Sequence, residues 1–306
     1  MINRNPNRIK ENTFSLYIMA APALAVITLF SYIPMAGIIL AFKSYDFSKG
    51  VFGSEWVGFQ NFYFFFQSGV AWRLIRNTVG LNLLFMVTIQ VCGVLVALLL
   101  NEIYERRVAK LYQSIIFFPH FISWVIVGYF AYAALNADQG LINNTLEALG
   151  IEKVNWYSEP NYWPMILNFT SLWKGLGYFS IIYLAGMVTI NPEYYEAVRI
   201  DGGKKRHEMW YITLPFIKPL IYVNVFLSLG RVFYANFDFF NNVVRNTGQI
   251  MSTTDVIDTF VVRSLTVLGD YNMAAAAGLF QGICGLILVL AANWMVSRID
   301  YENAIF

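Results

Sequence analysis

Six stretches of this chain stay apolar for the roughly 20 residues that carry a helix across a hydrocarbon core. They cover about 14–42, 77–100, 112–135, 163–189, 217–238 and 274–297. In lipid every backbone polar group must find its partner within the protein, so such stretches are expected as spanning helices. The second is the cleanest: Leu81 to Leu100 carries only Asn82, Thr88 and Gln90 as polar interruptions. The fifth is the weakest, because Arg231, Asn236 and Asp238 interrupt it. Charged residues make up 13% of the chain, about half the share usual in soluble domains. The expected fold is all-α and integral to the membrane, with six transmembrane helices in a single domain over residues 1–306.

The first stretch follows Arg4, Arg8 and Lys10, like the basic start of a signal peptide. A signal peptide's apolar region is only about 7–15 residues long. Here the run from Phe14 to Phe42 is far longer, broken only by Pro22, Pro34 and a few small polar residues, so it reads as a retained span. Lysine and arginine placement sets the orientation. With both termini cytoplasmic, the inside segments hold twelve such residues and the outside segments seven, while Lys174 and Arg231 fall within spans. Cys92 and Cys284 sit inside apolar runs and read as small packing or lipid-facing residues rather than a disulfide framework.

Three outside segments have a character of their own. Residues 43–72 are dense in aromatics, with Trp56, Phe59, Phe62, Tyr63, Phe64, Phe65 and Phe66, which suits a short interfacial helix or a turn buried under a lid. Residues 137–162 lean acidic, and 239–272 mix asparagine with aspartate. Between the fourth and fifth stretches lies a basic loop, 190–216. It holds Glu196-Ala197-Val198-Arg199-Ile200-Asp201-Gly202, then nine residues, then Ile212-Thr213-Leu214-Pro215. An amphipathic helix ended by glycine, followed by a Leu-Pro that restarts the chain into the bilayer, makes a protruding cytoplasmic knob. Glu196 and Arg199 are three apart and share a helix face.

That loop resembles the EAA loop of bacterial ABC-importer permeases: Glu196, Ala197, Gly202, Ile212, Leu214 and Pro215 fall in register, and Val198 replaces the second alanine. The resemblance implies a type I importer permease fold, with a coupling helix that docks in a groove on an ATPase subunit. The residues it marks for coupling are Glu196, Ala197, Arg199, Asp201, Gly202, Leu214 and Pro215. Further matches run over about 14–302. They include Phe118 to Trp124, Trp173-Lys174-Gly175-Leu176-Gly177, Leu184-Ala185-Gly186, Phe237-Asp238, Asp255 to Phe260, and Tyr271-Asn272 leading into the sixth stretch. Together these are similar to carbohydrate-importer permeases, in particular the branch that takes up oligosaccharides released from complex glycans. The implied machine has a second homologous permease, two ATPase subunits and an extracytoplasmic sugar-binding protein, with no nucleic acid involved. ATP and Mg would be used by the ATPase partner; this chain has no G-x-x-x-x-G-K-[ST] and is expected to bind no cofactor, to hold no metal and to catalyse nothing itself.

A sugar path needs flat apolar faces and groups that replace water. The fourth span offers Trp173, Lys174, Gly175 and Tyr178, and the fifth Gly230, Arg231, Phe233 and Asn236; helix packing and an aromatic belt account for many of these equally well. Two cations inside spans are costly and face a cavity or a partner. One possibility is a path for an acidic sugar such as a uronate. The preferred one is structural, with Lys174 snorkelling or bonded to backbone carbonyls and Arg231 paired with Asp238. A secondary transporter or channel is the rival class, which would want inverted repeats and intramembrane carboxylates. Neither is visible.

Overall fold

A computed structural model describes residues 6–299. Both chain termini, expected on the cytoplasmic side, lie outside the described residues. Helix α1 (Pro6–Ile27) runs through a π turn (Thr28–Tyr32) into a 3-10 stretch (Ile33–Phe42). Two short strands follow, β1 (Lys43–Ser44) and β2 (Glu55–Trp56), paired antiparallel with Lys43 opposite Trp56. The helices after them are α2 (Gln60–Gln67), α3 (Val70–Asn101), α4 (Arg106–Phe117), α5 (Trp124–Leu135) and α6 (Leu141–Ala148). Then come α7 (Trp163–Val188), α8 (Pro192–Ile200) and α9 (Leu214–Leu229). The last three are α10 (Phe237–Val244), α11 (Ile257–Arg263) and α12 (Tyr271–Ile299). Four helical stretches are long and apolar enough to cross a membrane, or up to six if each of two bent pairs is one span.

The central pair is α3 against α7, and small residues let them close. A Cβ on Gly93 would stand 3.0 Å from the Phe179 Cβ, and one on Gly177 only 2.4 Å from the Phe117 Cα, so α4 crosses α7 backbone to backbone. Lipid tails are as apolar as leucine, so close approach and buried polar bonds hold membrane helices together. Thr88 donates to the Asn168 carbonyl oxygen at 2.7 Å, and the Tyr183 hydroxyl donates to Gln90. At the N-terminal end of α3, buried Asp255 takes Arg73 and Arg263 at 3.2 and 2.9 Å, tying α3 to α11. Helix α2 presses its buried Phe65 against Phe260 and Phe280 while Tyr63 and Phe64 stay exposed, the amphipathic helix its aromatic content suggests. Residues 15–36, by contrast, are exposed throughout, and the first apolar stretch packs against α12 through its 3-10 end.

Two expected spans are not continuous helices. Over 112–135 the chain bends by 95° between the α4 side and α5. Pro119 cannot donate a hydrogen bond, a 3-10 turn spans Phe118–Phe121, and the Ser123 hydroxyl caps α5 by accepting from the Ile126 amide. Over 217–238 the helix ends at Leu229, and residues 230–236 run as turns before α10 begins. Upstream, that helix starts earlier than its apolar run: a turn at Lys205–Glu208 and a π turn at Met209–Thr213 lead into α9. Helix α3 also starts earlier than expected, at Val70, because Arg73 and Arg76 find partners near α11 instead of ending the helix.

Candidate transport cavity and coupling loop

The break after α9 opens onto a cavity of about 900 Å³ bounded by α3, α7, α9 and α10. Non-helical backbone inside a membrane protein is tolerated where other groups satisfy it and where it lines a cavity. Both conditions hold. The Asn82 amide on α3 donates to the Val232 and Tyr234 carbonyls at 2.9 and 3.4 Å. Gln281 on α12 donates to the Phe233 carbonyl at 2.7 Å. The Asp258 carboxylate on α11 accepts from the Ala235 amide at 2.8 Å and from Gln281 at 3.0 Å. Asn236 then caps α10 by accepting from the Phe239 amide at 3.0 Å. Replacing Asn82 with leucine leaves two carbonyls unmatched, and we expect a loss of about 2 kcal/mol, read as a lower midpoint in thermal unfolding of the detergent-solubilised protein. An unchanged midpoint would show that Asn82 does not hold the break.

Amides, hydroxyls and rings alternate around the cavity: Asn224, Ser171 and Ser228 beside Tyr178, Tyr234 and Trp124. Of the residues singled out in the sequence, Tyr178, Gly230, Arg231 and Asn236 line it. Four others lie elsewhere. Gly175 packs against Ile89, where a Cβ would approach Cδ1 to 2.3 Å. Phe233 joins the cluster around Phe65 and Leu74. Trp173 is partly exposed and not part of the lining. Lys174 turns to the other helix break: its Nζ donates to the Pro119, His120 and Ile122 carbonyls, the first two at 3.3 and 2.8 Å, and lies 5.0 Å from the Trp124 ring centroid. Arg231 makes no ion pair with Asp238 among the described residues; both are exposed. His120 stacks at 5.2 Å on Tyr178, joining the α4–α5 break to the cavity wall. Asn82, Asn224, Ser171 and Ser228 were not singled out. Their sequence signal is a lone polar residue in an apolar run, which marks importance but not direction.

The loop between α7 and α9 is equally defined. The chain bends by 71° into α8, where Asn191 caps by accepting from the Glu193 amide and Pro192 takes the first helical turn. Gly202 ends the helix at φ +75°, a left-handed conformation that disfavours side chains. Gly203 must also be bare, since its Cβ would lie 2.8 Å from the Val198 carbonyl oxygen. Arg199 and Glu208 form a two-point ion pair at 2.7 and 3.3 Å. The Glu208 side chain is 5% exposed and also faces Lys205 at 3.6 Å; Lys205 reaches Glu102, just beyond α3, at 2.8 Å. Arg199, on the same helix face as Glu196, is thus paired with a residue of its own loop while its side chain stays more than half exposed. Glu196, Ala197 and Ile200 remain exposed, Asp201 follows α8 with its amide bonded to the Ala197 carbonyl, and Leu214-Pro215 open α9.

Residues 89–301 match the model of the family described as binding-protein-dependent transport system inner membrane component. The chain belongs to that family. It is an ABC-importer permease, a multi-pass bacterial membrane protein of all-α, type I importer fold. The permease is 34% identical over 288 residues to Protein LplB of Bacillus subtilis (strain 168), covering 94% of this chain and 90% of the relative. It is also 34% identical to the polygalacturonan/rhamnogalacturonan transport system permease protein YteP of the same organism, over 94% and 89% of the two chains. Among solved structures it is similar to a chain of a bacterial ABC transporter involved in import of the acidic polysaccharide alginate. The TM-score there is 0.87 at 33% identity, covering 96% of this permease and 98% of that chain. The alginate transporter in complex with its alginate pentasaccharide-bound periplasmic protein matches with a TM-score of 0.86, again at 33% identity, over 95% and 97%.

Proposed function

We propose that this permease imports oligosaccharides delivered by an extracytoplasmic sugar-binding protein. It does so in the cytoplasmic membrane, paired with a second homologous permease and driven by two ATPase subunits that use ATP and Mg. The observation that carries this is the unwound segment 230–236 lining a 900 Å³ cavity with amides, hydroxyls and rings. Amides and hydroxyls replace the water around a sugar's hydroxyl groups, and rings cover its C–H faces. The names of the relatives, which transport polygalacturonan, rhamnogalacturonan and alginate, support a cargo cut from a polysaccharide. The lysine and arginine bias supports cytoplasmic termini and a cytoplasmic loop at 190–216. There α8 offers Glu196, Ala197 and Ile200 to the ATPase, Gly202 sets the turn behind them, and Leu214-Pro215 carry the motion into α9. An ATPase closing on ATP would push this loop and open or close the cavity.

The test is ATPase activity of the complex in proteoliposomes, with the partner permease and ATPase co-expressed and the sugar-loaded binding protein as stimulus. Valine at Gly202 forces a β-branched side chain into a left-handed turn, at a cost of about 1–2 kcal/mol. We expect Gly202→Val to reduce stimulated activity by about 5–30-fold, and Gly202→Asn, which tolerates that conformation, to keep most of it. If no ATPase assembles with the permease, ATP-driven import falls and a secondary transporter takes its place.

A further inference from the structure

Two cations sit within the apolar stretches, and the structure gives them opposite surroundings. Lys174 is spent: three backbone carbonyls and the face of Trp124 surround its ammonium group. Arg231 lines the cavity, is exposed there, and has no ion pair among the described residues. Among the described residues no carboxylate shares the cavity wall with it. Asp258, which braces the unwound segment, is already engaged by the Ala235 amide and Gln281, and Asp238, seven residues along the chain, makes no ion pair with Arg231 among the described residues.

We propose that Arg231 reads negative charge on the cargo, so that the cavity takes anionic, uronate-bearing oligosaccharides in preference to neutral ones. This selectivity presupposes the oligosaccharide cargo proposed above. A cation held within a span costs up to about 3 kcal/mol at the membrane centre and less toward its edge, and a carboxylate on the passing sugar would offset that cost. The guanidinium is suited to the task, because its planar fork matches a carboxylate at two points. Around it stand neutral donors and acceptors, Asn224, Ser228 and Asn236, which bind hydroxyl groups without repelling an anion. At about 900 Å³ the cavity is at the upper end of the range for small-ligand sites, large enough for a charged sugar unit with its neighbours.

The test uses two probes that differ only at C6 of each sugar unit, carboxylate in one and neutral hydroxymethyl in the other: a galacturonate tetramer and its carboxyl-reduced counterpart, a galactose tetramer. Both are titrated calorimetrically into the purified complex of both permeases and the ATPases, without binding protein, so that only the transmembrane site selects. The native complex should bind the galacturonate tetramer at least tenfold more tightly, about 1.4 kcal/mol, with the gap narrowing as salt is raised. Arg231→Gln should bring the two affinities together, and Arg231→Lys should keep part of the gap. Equal affinities in the native complex, or a gap that survives Arg231→Gln, would overturn the charge reading while leaving sugar import intact. If neither tetramer binds, the cavity is not the sugar site, and both conclusions fall. Should Arg231→Gln fail to assemble, the native comparison and its salt dependence decide.

Discussion

Lys174→Met will destabilise the permease and will not change its preference between charged and neutral sugars. The ammonium group bonds the Pro119, His120 and Ile122 carbonyls at the 95° bend between α4 and α5, where the Pro119 carbonyl also accepts from the Ile122 amide at 3.2 Å. Methionine has the reach but no donor. Each carbonyl left unmatched costs about 1–3 kcal/mol, while removing a cation from the span returns up to about 3 kcal/mol. The Pro119 carbonyl keeps its amide partner, so two carbonyls are left at about 2 kcal/mol each, and they outweigh the cation by about 1 kcal/mol. We expect a lower unfolding midpoint in detergent and a poorer yield of monodisperse protein, with uptake of anionic and neutral sugars reduced alike. A variant as stable as the native protein that loses only anionic uptake would return Lys174 to the sugar path.

Glu208→Ala should uncouple ATP turnover from transport. The buried carboxylate is the node at which Arg199 of α8 and Lys205 meet, and Lys205 extends the link to Glu102 beside α3. Both cations are more than half exposed, so water takes up much of what they lose, and the stability cost should stay near 1 kcal/mol. The geometric cost is larger, because α8 loses its charged tie to the loop and keeps the contacts of Tyr195 with Thr213 and Tyr194 with Phe216. We expect at least a tenfold fall in sugar-stimulated ATPase activity with the complex still assembled. Arg199→Ala combined with Glu208→Ala should cost little more than either alone, since both remove one interaction. Fully additive losses would mean that the pair does not act as a unit.

The sequence made the straight helices legible and the breaks illegible. Leu81 to Leu100 and the run behind α7 could be read because nothing in them contradicts a helix. Pro119 was visible inside the third stretch, and Arg231, Asn236 and Asp238 marked the fifth as weak, but an average over twenty residues hides a bend. What makes each bend affordable lies on another element: Lys174 for the first, Asn82, Gln281 and Asp258 for the second. No periodicity connects Asn82 to Val232 across 150 residues of chain. The coupling loop was legible as a register, six positions over twenty residues, whereas Glu208 was not, since its role depends on Arg199 folding back across Gly202. Within the cavity, Tyr178, Gly230, Arg231 and Asn236 could be named from residue type near a weak helix. Asn224, Ser171 and Ser228 could not, because a single polar group in an apolar helix does not say which way it faces.

The exposed first helix bears on how the subunit is made. Lipid tails solvate leucine as well as a neighbouring helix does, so Leu16, Ile18, Met19, Leu24 and Phe30, exposed on this chain, lose little when they face lipid. Leaving the ribosome before the helices that follow it, this segment can enter the bilayer and stay there as a tether while those helices are still being synthesised. It waits for no side chain from elsewhere. The helices that brace one another's breaks are translated only after that anchor is in place, so the slow search for Lys174 and Asn82 contacts takes place in two dimensions, on a chain already confined to its membrane.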